Sequence, residues 1–120
     1  MRYLPDSQYE GFPCSYVAAG CAYEAVIGKP FPEQMPDNLK EDGWATLENM
    51  NRYIRSILSV RKKVYYKRQD RIPLREFLTE NTEKCIVCVY GHFLYADKDD
   101  YWSFFENDAD PVVCAWYLKC

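Results

Sequence analysis

A cysteine that opens a helix, a glutamine shortly before it and a lone histidine far downstream are the parts of a thiol nucleophile with its proton acceptor. Cys14 follows Pro13 and begins CSYVAAGCAYEAVIG, a helical stretch, and Gln8 stands six residues upstream across a short glycine-bearing turn. A helix N-terminus offers partial positive charge and backbone N–H groups to whatever sits beside it, which favours thiolate over thiol. His92 is the only histidine in the chain and lies in GHFLYADKDDYWSFF, where a strand and hairpin carry it back toward Cys14. One histidine leaves one candidate base.

These residues need a scaffold, and the 120-residue chain predicts one. At 48% hydrophobic it reads as a single globular domain with a real core and little room for a second module. Eleven tyrosines and three tryptophans suit half-buried strand faces and argue against disorder. No apolar run approaches the length of a membrane span, and MRYLPDSQYEGFPCS has neither a signal core nor a cleavage site, so the expected location is the cytoplasm. The six cysteines are then expected to be reduced. The short lead-in before Gln8 predicts no inhibitory propeptide.

The first helix is expected over about Cys14 to Ile27, stopped by Gly28 and Pro30. Its small residues Ala18, Ala19, Gly20 and Ala22 invite close packing. Residues 30–43 carry three prolines and read as a surface loop. Leu47, Met50, Ile54, Ile57 and Leu58 then recur at helical spacing behind Thr46, a candidate cap. Val60 to Lys67 alternates as a strand, and Pro73 to Leu78 reads as a short helix with proline in its first turn. CIVCVYG, HFLYAD, YWSFF and VVCAWYL follow as strands, the middle two forming a hairpin around Lys98-Asp99-Asp100. Helices first and antiparallel strands last predict an α+β domain, its N-terminal helix carrying the cysteine against a C-terminal antiparallel sheet.

QYEGFPCSYVAAGCAYEAVIG and GHFLYADKDDYWSFF together resemble the papain-like cysteine peptidase superfamily, particularly small members such as bacteriocin leader peptidases and short phage-encoded relatives. In those proteins a glutamine lies six residues before the cysteine that opens the central helix, and a histidine heads a later strand. The resemblance implies one papain-like domain over residues 1–120, with Cys14 as nucleophile, His92 as base and Gln8 as an oxyanion donor beside the Cys14 backbone N–H. It implies a hydrolase cutting a peptide or isopeptide bond through a thioester on Cys14, without cofactor or metal, on a protein or peptide substrate. A viral or phage setting, with a host protein as target in the host cytoplasm, is implied by resemblance alone. Acyl transfer needs a thiolate, a proton shuttle near neutral pKa and donors aimed at the oxyanion, which these residue types supply.

The family pattern also asks for an Asn or Asp that orients the histidine, and here three residues compete. A turn at Lys98-Asp99-Asp100 sets His92 opposite Phe105 or Glu106 and brings Ser103 to the usual orienting position. Asn107 and Asp108 lie just beyond, within reach of the ring if the strand is bulged. Chemistry favours Asn107, whose amide oxygen accepts from an imidazole N–H and fixes its tautomer more firmly than a hydroxyl does.

Other features take plainer readings. Cys14 itself has the alternative of a buried small hydrophobe. Cys85 and Cys88 form a C-x-x-C inside an apolar strand, where residues three apart point to opposite faces and do not converge on a metal. Cys114 and Cys120 with His92 make at most an unusual site, and Cys21 reads as core packing. Basic residues crowd Arg55 to Arg75, while Asp97, Asp99, Asp100, Glu106, Asp108 and Asp110 gather near the hairpin; such segregation reads first as two solvated surfaces. A net charge of −3 and the lack of a binding motif argue against nucleic acid. Trp44 is a candidate for the cleft edge. Two rival functions remain open: a papain-fold protein that holds a host protein without catalysis, and an acyl transferase acting as a glutamine deamidase or transglutaminase.

Overall fold

The computed structural model describes residues 14–28, 46–98, 100–103 and 106–119. Gln8, Pro13, Trp44, the loop over residues 30–43 and Cys120 lie outside them. Helix α1 (Cys14–Ile27) ends at Gly28, whose φ of 81° and amide bond to the Glu24 carbonyl (3.0 Å) make it the left-handed residue that closes a helix. Helix α2 (Leu47–Ile57) starts at Thr46, whose hydroxyl accepts the Asn49 amide at 3.0 Å. Strand β1 (Val60–Tyr65) is shorter than the alternation suggests, and a single 3-10 turn covers Arg68–Asp70. Helix α3 (Leu74–Glu80) takes Pro73 as its cap rather than within its first turn; the Pro73 carbonyl still accepts the Phe77 amide at 3.0 Å.

Four strands follow: β2 (Cys85–Val89), β3 (His92–Asp97), β4 (Asp100–Trp102) and β5 (Val112–Leu118). With β1 they form a five-stranded antiparallel sheet in the order β1-β5-β2-β3-β4. The last strand of the sequence is therefore a central one. Strands β2 and β5 are buried along their whole length because helices cover both faces, which is why they read as unbroken apolar runs. The β3–β4 turn is tighter than the sequence suggests: Asp97 pairs with Asp100, Lys98 takes a φ of 56°, and the strand ends at Trp102, so that Ser103 leaves the ladder. In the β2–β3 turn Gly91 has a φ of 75°, conformational space that glycine enters without strain.

The sheet divides two cores. On one face α1 and α2 bring Val17, Ala18, Ala22, Met50 and Ile54 against Ile86, Phe93, Tyr95 and Trp116. On the other, Leu74, Phe77 and Leu78 of α3 meet Val87, Leu94, Tyr101 and Tyr117. Ser15 through Ala22 are all buried, as expected of a helix apolar on every side. Its alanines and Gly20 let it lie close to β3, and that contact carries Cys14 to the start of the strand that His92 opens. The whole is α+β: among the described residues, three α-helices packed on a five-stranded antiparallel sheet.

Candidate functional site

Cys14 is the first residue of α1 and half-buried, and its sulfur accepts the backbone N–H of Phe93 at 3.5 Å. The described pairing of β4 with β3 reaches only to Tyr95. Beyond it the Phe93 amide turns to sulfur. The contact spans 79 residues of sequence and joins the helix start to the head of β3, where His92 stands half-buried.

Behind the ring runs a chain of hydrogen bonds. His92 Nε2 lies 2.9 Å from Ser103 Oγ, and the Ser103 hydroxyl donates to Asn107 Oδ1 at 3.0 Å. Asn107 Nδ2 in turn donates to Asp110 Oδ2 at 2.8 Å. Ser103 and Asn107 are only 2% and 7% exposed, so these bonds are made away from water. A hydroxyl has one hydrogen. With that hydrogen on Asn107 Oδ1, the Ser103 oxygen is matched to a ring that donates from Nε2, the tautomer whose lone pair is on Nδ1.

Burial lowers the His92 pKa from its ordinary 6.5, and the Asp110 carboxylate opposes that shift by Coulomb attraction. The other described thiols are poor nucleophiles: burial pushes Cys21, Cys85 and Cys88 up to about 12, and Cys114 up to about 11. Cys85 and Cys88 belong to the two different cores, on opposite faces of β2. Among the described residues no group of three or more His, Cys, Asp or Glu is arranged to hold a metal ion.

The three candidate orienting residues separate in space. Ser103 touches the ring, Asn107 stands behind Ser103, and Asp108 points elsewhere, to the Arg75 guanidinium at 3.0 Å and the Tyr101 hydroxyl. Those two bonds, Tyr101 first, hold the Asp108 carboxyl below the ordinary carboxylate range. Arg75, counted with the basic stretch, thus meets one of the hairpin acids, and the two charge groups are not wholly separate surfaces. The loop that carries all this is pinned from outside. Arg75 N donates to the Asp108 carbonyl (3.0 Å), Leu74 N to that of Asp110 (2.8 Å), and Asn107 N to Tyr101 Oη (2.8 Å). Amides left over at the start of α3 are satisfied by the loop, and the loop is fixed by them.

Asp110 is the member of this chain that sequence reasoning grouped with the surface acids. Its signal is the N-x-x-D spacing from Asn107 just before Pro111, which lets two side chains meet across one turn. At the same end of the sheet a groove of about 880 Å³ opens between Tyr65, Arg71 and Tyr90 and reaches Asp110 and Val113. Arg71 is held there by bonds from Nε to the Tyr66 carbonyl and from Nη2 to Tyr65 Oη, both 3.0 Å.

No protein-family model, curated protein or solved structure matches this chain.

Proposed function

We propose that this chain is a small papain-like cysteine hydrolase that cleaves a peptide or isopeptide bond through a thioester on Cys14. The observation that carries the reading is the meeting of the Cys14 sulfur with the head of β3, where the one histidine stands with a buried hydrogen-bond chain behind it. The papain-like arrangement is part of the proposal. A nucleophile helix lying against the sheet strand that bears the base supports it.

In this mechanism His92 Nδ1 takes the thiol proton, and the Cys14 sulfur attacks the carbonyl carbon while the π pair moves onto oxygen. The Cys14 backbone N–H is one donor to that oxyanion, and the resemblance assigns the second to Gln8, which lies outside the described residues. The imidazolium, steadied by Ser103 at Nε2, passes its proton to the departing nitrogen as the carbon–nitrogen bond breaks. Water, deprotonated by the same ring, then attacks the thioester and releases the acid and the thiol.

A peptide-library digestion by the folded wild-type chain tests this. Cleavage is expected, and is expected to vanish in Cys14→Ser and in His92→Ala, because a serine keeps the volume but is a far poorer nucleophile beside a lone histidine. Cleavage that survives Cys14→Ser, or its absence in the wild type together with no covalent capture of peptidyl electrophiles, overturns the hydrolase reading.

One observation favours a second reading, a binding protein that acts by occupation. Among the described residues strand β1 is an edge of the sheet, and Arg61, Lys62 and Lys63 are exposed along it. If occupation is the function, Cys14→Ser is silent in cells, whereas charge reversal at Lys62, Lys63 or Arg68 weakens the partner by lost steering.

A further inference from the structure

We infer that Asp110 is a positioning residue that sets the direction of the hydrogen-bond chain through Asn107 and Ser103 and thereby the tautomer of His92. This rests on the reading of Cys14 and His92 as nucleophile and base. A carboxylate only accepts hydrogen bonds, so Asp110 Oδ2 admits only the NH2 side of the Asn107 amide, at 2.8 Å. The amide oxygen must then face Ser103, at 3.0 Å. Its hydroxyl hydrogen is drawn there, and the Ser103 oxygen is left to accept from Nε2 at 2.9 Å.

Each link in this chain is reversible in isolation. An amide turned end for end would donate to Ser103, the hydroxyl would swing round to donate to Nε2, and the ring proton would move to Nδ1. The nitrogen that serves as base would then carry a hydrogen. Serine and asparagine both donate and accept, so neither chooses a direction alone. Asp110 is the one member of the chain that cannot work both ways. It also sits in a turn fixed through its backbone, with Leu74 N donating to the Asp110 carbonyl at 2.8 Å and Asp110 N to the Asn107 carbonyl at 3.0 Å, so its place does not depend on its side-chain bond to Asn107. The device differs from a direct His–Asn pair: the serine passes the orientation on, and the acid behind it decides the sign.

The chain has a single histidine, so its ring nitrogens give one unambiguous pair of signals in a long-range proton–nitrogen spectrum. In the wild type at pH 8 the ring is expected as the Nε2–H tautomer. Asp110→Ala is expected to shift the population toward Nδ1–H and to slow iodoacetamide alkylation of Cys14 by at least about tenfold, since a serine-protease histidine held in the wrong tautomer loses about 10⁴ in rate. In a Ser103→Ala background the same substitution should have no further effect, because the link it acts through is gone. A wild-type ring found as Nδ1–H overturns the inference without any variant. So does a folded Asp110→Ala that keeps Nε2–H and the wild-type alkylation rate, or losses in the double variant that simply add. If alkylation does not respond to His92→Ala, the nucleophile–base reading fails instead, and the wild-type tautomer still decides the hydrogen-bond direction.

Discussion

The Phe93 amide donates to the Cys14 sulfur at 3.5 Å, tying the first residue of helix α1 to the second residue of the strand that His92 begins. A backbone donor aimed at the sulfur fixes where the Cys14 side chain rests. The two elements are held in register by the α1–β3 packing. The contact is thus a property of the core as much as of the site.

Selective alkylation follows from the contrast among thiols. Cys14 is half-buried, while Cys21, Cys85 and Cys88 are buried with pKa values pushed up to about 12, which leaves roughly one thiolate in 10⁵ at pH 7. With iodoacetamide at pH 7 and peptide mapping by mass, Cys14 is expected to label well before those three and Cys114. Replacing His92 by alanine should slow it. Earlier modification of Cys88 or Cys21 would sink the assignment of Cys14 as the nucleophile.

The histidine gives a pH dependence of known sign. Burial lowers its folded pKa below the ordinary 6.5, so in the window between the two values the unfolded chain binds more protons. Stability is therefore full above about pH 6.5 and falls as the pH drops through the folded value. Nuclear magnetic resonance titration of His92 should give a midpoint under 6.5, and thermal melts should show a decline on acidification that is reduced in His92→Gln. A midpoint above 6.5 would mean that Asp110 outweighs burial.

Close packing of α1 offers a test away from the chemistry. Ala19 is fully buried in the core that joins α1 and α2 to the sheet. Ala19→Leu adds three carbons where there is no room and is expected to cost about 1–3 kcal/mol in denaturant unfolding. If the chain stays folded, Cys14 alkylation should slow as well, since the helix that carries the sulfur must move off β3. Unchanged stability and labelling would show that the helix tolerates displacement and does not position the site.

Much of this architecture is written in local patterns. The span of α1, the glycine that ends it, the threonine that caps α2 and the opposite facing of Cys85 and Cys88 follow from helical and strand periods and from which residues tolerate which backbone angles. These are properties of a few neighbouring residues, and neighbours are what a sequence displays. The proximity of Cys14 to β3 is different in kind, because it depends on how α1 settles on the sheet across 79 residues. So does the division of labour among Ser103, Asn107 and Asp108. Hairpin register brings Ser103 to the ring and side-chain chemistry favours Asn107; tertiary structure sets the two in series and sends Asp108 to Arg75. The place of Asp110 was the least legible of all. An acid beside a turn is ordinarily a solvated one, and only the folded loop, gripped by α3, turns its carboxylate toward the asparagine and gives the chain of bonds a direction.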